Sequence, residues 1–404
     1  MKGTAAASGS RLTILTLAAI AAMGSMAIHM LVPALPLIGA DFGIGEARAQ
    51  QTVSVYLAGL AAGQLAAGPL ADRRGRRPVM LAGLALFIAG ALAATIAPAP
   101  GWLLLARLVQ AGGGACGVVT ARVMVGDVFG PQKAAGAQAS LMTIVLVSPA
   151  VAPVIGGALA DLAGWRAVFG LLALAGGLTF HAALHRLPET ASPARSRNAS
   201  HQATPVRLGA SYLRLARNRR FVLTSATLAL ASSALYMFLG AAPFLLVHRF
   251  GLSSGEAGGA LLVIAVASII GTRLVVPVER RTSAMVLGTA SSACGALIAL
   301  GLALAGIEGA ALLIAPVTLL GLGAGLAGPV AFNAVAFAEE GLAATATSLA
   351  GALQMLASGL AMTLLGMFAP LDPLRVALAL MLATGAAFTC AVAATHARSN
   401  RPNA

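Results

Sequence analysis

Arg107 and Gln110 lie one helical turn apart inside an otherwise apolar stretch, and His29 lies in another. A guanidinium within such a stretch costs at least about 2.5 kcal/mol on membrane-insertion scales, so it should face a partner or a polar cavity. Snorkelling toward the nearby end of the segment, about five residues away at Trp102, is the simpler alternative. Gln110 shares the helical face of Arg107. The imidazole of His29, with an ordinary pKa of about 6.5, exchanges a proton near neutrality, unless it is simply held by a structural hydrogen bond. A third group is GPLADRRGRR (68–77), which packs four arginines and Asp72 into six positions of a chain that is only 9% charged. Its chemistry is ion pairing, and Asp127 is a plausible partner for Arg76. These are tools for moving protons and holding conformations. They contain no nucleophile–base pair and no metal cluster, so neither an enzyme, a bound metal nor a cofactor is expected. The glycines at 112–114 fall within a helical stretch and form no phosphate cradle, and no nucleotide-binding motif appears.

The elements that hold these residues must be membrane helices. The 404-residue chain is 59% apolar, whereas a soluble chain carries roughly 25% charged residues. Apolar stretches of spanning length fall near 12–38, 50–71, 78–97, 102–125, 134–160 and 165–185. A second set falls near 221–248, 254–277, 284–305, 309–337, 345–368 and 373–396. The first of these is too long for a leader's apolar core and contains Pro33 and Pro36, so it reads as a span. Twelve spans put both termini on one side. One set of loops holds only Arg48, Arg166, Arg249 and Arg375, and Arg107 is inside a span, which leaves 21 of the 26 basic residues on the terminus side. The positive-inside rule makes that side the cytoplasm. The net charge of +14 thus reports topology; the interleaved aromatics of a nucleic-acid binder are missing. Cys116, Cys294 and Cys390 lie far apart in apolar spans and read as small buried hydrophobes.

One linker stands out, 186–220, with PETASPARSRNASHQATP followed by the basic run RLARNRR (214–220). It divides the chain into 1–185, a cytoplasmic connection, and 221–404. The basic run is expected to lie against the anionic inner leaflet.

The order of these residues resembles the major facilitator superfamily over nearly the whole length. GPLADRRGRR is similar to the loop signature between that family's second and third helices, and RLVQAG (107–112) to its second signature. SPAVAPVIGG (148–157), with Pro149, Pro153, Gly156 and Gly157, resembles the Pro/Gly signature of the family's antiporters. Trp165 and Arg166, followed by Phe169, open span 6 as in many members. AAPFLL (241–246) and TATSLAGALQ (345–354) resemble the bicyclomycin/chloramphenicol-resistance (Bcr/CflA) branch of drug:proton antiporters. The resemblance implies an all-α membrane protein of twelve transmembrane helices in two pseudo-symmetric six-helix bundles. It also implies a latch between the halves from Gly68, Asp72, Arg73, Gly75, Arg76 and Asp127, against the plainer reading of topological anchoring by charge. Gly126 departs from the pattern, since the branch often carries Arg there. The Pro/Gly helix is implied to be a pivot that resists leakage.

Span 1 breaks the branch's pattern. Where Asp-Met-Tyr-Leu-Pro-x-x-Pro is usual, HMLVPALP (29–36) keeps both prolines but replaces the acid by His29. No other carboxylate falls at mid-span, so a buried cation would find no fixed counter-charge, and neutral or anionic substrates are favoured. His29 and Arg107 are then the proton-coupling candidates. Gln110, Tyr236, Asn333 and Gln354 are polar candidates for the substrate cavity, with helix–helix contact as the plainer alternative; Phe238 and Phe332 offer apolar wall. The expected protein is a bacterial inner-membrane exporter of small amphipathic drugs. It would work as a monomer by proton antiport and alternating access, with small-molecule substrate, protons and the lipid bilayer as its partners. Export of an endogenous metabolite, or a transport-inactive sensor, are the alternatives.

Overall fold

The computed structural model describes residues 2–190, 205–339 and 342–399; within these, 2–11, 72, 126, 130–146, 205–210, 343–344 and 397–399 are described by backbone alone. The first half comprises α1 (Lys2–His29), a 3-10 turn (Val32–Ala34), α2 (Leu35–Phe42), α3 (Glu46–Arg74), α4 (Arg76–Thr95), α5 (Pro100–Ala163) and α6 (Trp165–Arg186). Then follow α7 (Pro205–Arg217), α8 (Arg219–Phe244) with a π turn (Leu245–Arg249), α9 (Ser254–Glu279), α10 (Ala284–Leu304), α11 (Ala310–Ala336), α12 (Ala343–Gly366) and α13 (Pro373–Ser399). Among the described residues, eleven helical stretches are long and apolar enough to cross a membrane, and Val147–Ala163 is a shorter apolar one. Together they match the twelve expected spans.

Local chemistry explains the punctuation. Pro33 and Pro36 lack an N–H and disfavour helix in the residue before them, so span 1 is not one helix: α1 stops at His29 and α2 restarts after the 3-10 turn. Gly75, at φ 95°, turns α3 into α4 in a conformation a side chain would resist. Asn218 caps α8 by accepting from the amides of Arg220 and Phe221. Ser253 and Glu256 form a capping box on α9.

One expected connection needs correcting. Spans 4 and 5 were to be separated by a loop, but helical backbone runs unbroken through Pro100–Ala163. Gly117 lies against Ile20 and Gly156 against Met30, so two points far apart on α5 meet nearby points of span 1 and the chain reverses between them. Just beyond Pro131, Ala134, Ala135, Ala137 and Ala139 are good helix formers, and every residue of the connection keeps helical backbone. Within the linker, the basic end forms α7, while 191–204 lie outside the described residues.

Small residues let the helices approach. A Cβ at Gly83 would crowd Cys116 and the Gly113 carbonyl, and one at Gly288 would crowd the Gly323 carbonyl. These contacts, α4 on α5 and α10 on α11, are equivalent places in the two halves. Between the halves, α3 packs on α12 and the end of α5 packs on α9. The described side-chain bonds across this interface all sit at one end. Glu46 accepts from the amide of Leu371 (3.2 Å), Gln50 donates to the Gly240 carbonyl (3.1 Å), and Asp161 accepts from the amides of Ser254 (3.0 Å) and Gly255 (2.7 Å). The molecule is therefore closed at the end carrying Glu46 and Asp161.

Candidate functional site

The polar centre of the first half is built where α5 crosses α3. Arg107 is fully buried, so snorkelling is ruled out for this conformation. Its Nε donates to the Thr52 carbonyl (3.1 Å) and its Nη1 to Gln110 Oε1 (2.7 Å). The guanidinium carbon lies 3.9 Å from the centre of the Tyr56 ring, a cation–π contact, with Phe169 at 5.6 Å. The Tyr56 hydroxyl donates to the Gly24 carbonyl (3.1 Å), which ties the arrangement to α1. No carboxylate among the described residues bonds to Arg107. Two donors, Arg107 Nη2 and Gln110 Nε2, are buried without a partner. Unused donors side by side in an apolar interior call for an acceptor: water, a substrate carbonyl or an anion.

His29 sits where α1 ends and is 8% exposed. Its Nδ1 lies 2.8 Å from the Ser25 carbonyl. A carbonyl only accepts, so Nδ1 carries the hydrogen of the neutral ring and Nε2 is the basic nitrogen. Tyr236 from α8 stands over it with ring centres 6.2 Å apart. His29 and Arg107 do not touch. They are linked through neighbouring carbonyls of α1, with Gly24 held by Tyr56 and Ser25 by His29.

The Pro/Gly stretch of α5 meets both His29's helix break and the other half. A Cβ on Gly156 would collide with the Met30 carbonyl, and one on Gly157 with the Ser254 carbonyl. Gly258 of α9 faces the Pro153 carbonyl just as closely. Pro153 is buried and Pro149 half-buried.

At the opposite end, Arg76 Nε pairs with Asp127 at 2.9 Å, and Thr190 also donates to Asp127 (3.0 Å). Glu189 accepts from the amides of Arg76 (3.1 Å) and Arg77 (3.2 Å). The expected pair is thus present, and these bonds join α4, α5 and the segment after α6. Gly68 faces open space, Arg73 is exposed, and the Asp72 side chain lies outside the described residues.

The remaining cavity candidates scatter. Tyr236 joins His29, and Gln110 joins Arg107. Gln354 donates to the Ser232 hydroxyl and so bonds α12 to α8. Phe238 is fully buried in the apolar core, Phe332 is half-buried, and Asn333 is exposed near the end of α11.

Sequence reasoning missed Tyr56, Thr52, Gln50 and Ser54. The signal was there: Gln50 and Ser54 are four apart on one face of an apolar span, and Tyr56 is one of only three tyrosines. Both Gln50 and Ser54 are buried in α3, toward α12.

The profile described as Major Facilitator Superfamily matches residues 15–362. The chain is 32% identical over 237 residues to multidrug resistance protein MdtM of Salmonella typhimurium, covering 58% of this chain and 56% of that protein. It is 29% identical over 338 residues to multidrug transporter MdfA of Yersinia pestis, covering 82% and 80%. The first match thus spans little more than half the relative's length. Among solved structures, a D-xylose–proton symporter superposes with a TM-score of 0.73 at 14% identity over 95% of both chains. A bacterial homologue of the lysosomal transporter Spinster, described as inward-facing and occupied, gives 0.70 at 18% identity over 96% of both. These share the fold.

Proposed function

From the premise that this chain belongs to the major facilitator superfamily, we propose that it exports small, neutral amphipathic drugs by proton antiport, as a member of the Bcr/CflA-like branch. Two relatives named for multidrug resistance or transport support the drug class. The observation that carries the finer reading is the polar centre itself. It offers Arg107 and Gln110 donors without acceptors and, among the described residues, no carboxylate. A permanent cation would meet only positive charge there, whereas a neutral molecule with carbonyl or hydroxyl acceptors satisfies the open donors.

In this reading the halves 1–185 and 221–404 rock about a substrate held near the midplane. The termini face the cytoplasm of a bacterial cell, and a monomer in the inner membrane is the working unit. The end closed by Glu46 and Asp161 is then the outer one, and the described conformation faces inward. His29 carries the coupling proton on Nε2, and Tyr236 places it beside the second half. Arg107 holds the substrate side of the exchange. The cluster of Gly68, Asp72, Arg73, Gly75, Arg76 and Asp127 latches the inner end when it closes, and Gly156 and Gly157 let the outer end seal.

The test uses acidified inverted vesicles, in which an antiporter releases protons when substrate is added. Phenicols and other neutral drugs should evoke release, quaternary ammonium compounds should not, and His29→Ala should abolish it. Strong release with a quaternary cation would sink the neutral-substrate reading. Unchanged release in His29→Ala would remove the histidine from coupling.

A further inference from the structure

The basic end of the linker builds a cavity lined by none of the residues of the polar centre around Arg107. A cavity of about 950 Å³ opens between α7, the start of α8 and the end of α13. Its rim carries Arg214, Arg217, Arg219 and Arg220, with His396 opposite, and its inner wall includes Phe388 and Val392. Among the described residues the lining contains one carboxylate, Glu339, which is already engaged by Arg214 (2.6 Å) and Asn218 (2.9 Å). The cavity therefore keeps a clear excess of positive charge.

The frame is fixed. Leu215 is fully buried against the core that includes Phe221, Val335 and Ala394, which anchors α7. Asn218 caps α8 and donates to the Ala338 carbonyl (2.8 Å). Arg217 and Arg219 are left exposed on either side of it.

Depth identifies the ligand. Arg219 begins one membrane-crossing stretch (Arg219–Arg249) and His396 ends another (Pro373–His396), so the rim lies at headgroup level. Phe388 is eight residues inside that end, about 12 Å deeper at 1.5 Å per residue, and so lies at acyl-chain depth. A cationic rim above an apolar wall at this boundary matches a molecule with an anionic phosphate head and a hydrocarbon tail. A free phosphate would leave the wall without purpose. We propose that this cavity binds an anionic phospholipid, its phosphate between Arg217 and Arg219 and one acyl chain along Phe388 and Val392.

Delipidated, detergent-purified protein would be titrated with phosphatidylglycerol, phosphatidylcholine and glycerol phosphate, with lipid binding read by native mass spectrometry. Phosphatidylglycerol should bind in clear preference to phosphatidylcholine, and glycerol phosphate should not displace it at equal concentration. In an R217Q/R219Q variant phosphatidylglycerol should bind about thirtyfold more weakly, from about 1 kcal/mol per arginine. Arg217→Gln alone, on an exposed helix face, should cost about fivefold and serves if the double variant misfolds. R280Q/R281Q, removing two exposed arginines outside the cavity, should bind as the parent does. Equal binding of the two lipids, full displacement by glycerol phosphate, or an equal loss in R280Q/R281Q would each overturn the proposal.

Discussion

Arg107 uses two nitrogens in divergent directions and the flat face of its guanidinium against Tyr56. A lysine ammonium keeps the charge but cannot serve a carbonyl, an amide and a ring at once. Arg107→Lys should therefore reach the membrane in normal amount yet export at least about tenfold more slowly, reflecting loss of about 1.5–3 kcal/mol of charged hydrogen bonding. Efflux assays normalised to membrane protein would measure this, and parent-like export would contradict it. Tyr56→Phe is the milder counterpart. It keeps the ring under the guanidinium and loses the bond to the Gly24 carbonyl, at about 1 kcal/mol. Its melting temperature should fall by a few degrees while export survives. At this scale the sequence announced Arg107, Gln110 and His29, because charge or polarity in apolar spans is costly enough to be noticed. It did not announce that Tyr56 ties Arg107 to α1, since an aromatic in a span looks like ordinary packing.

The elements meet at backbone contacts that only glycine permits. Gly157 against the Ser254 carbonyl, and Gly258 against the Pro153 carbonyl, bring α5 and α9 together with no room for a side chain. Gly157→Val should keep these helices apart, leaving protein that inserts and binds substrate but does not complete export. Substrate binding by purified protein, set beside vesicle flux, would separate the two steps; intact flux would remove the close contact from the mechanism. The Pro/Gly signature was legible as a place of bends and close packing, but its partner helix was not. Two elements read differently once folded: the proline pair splits span 1 just after His29, and helical bonding bridges spans 4 and 5. Both outcomes turn on local competition between breaker residues and good helix formers, which hydropathy averages away.

Across the whole molecule, the two halves are clamped at one end and the proposed cycle requires that clamp to open. A Cβ built on Gly366 of α12 lies 3.4 Å from the Ala47 Cβ on α3, close to disulfide spacing. An Ala47→Cys/Gly366→Cys variant should cross-link under oxidant and stop export, with activity restored by reductant and unaffected in either single variant. Export through the oxidised pair would show that the halves need not part there. The amino-acid sequence by itself determined that this is a multi-pass helical membrane protein of the major facilitator type. That information is carried by segment length, hydropathy and the spelling of short motifs, all of which are local. Only the tertiary structure decided which polar groups share an interior, that Arg107 is held without a carboxylate among the described residues, that Tyr236 and not Asn333 faces His29, and that the linker's arginines rim an apolar-walled cavity. Each depends on helices distant in the chain meeting at particular angles, and those angles are set by backbone contacts at glycines whose partners no sequence window contains.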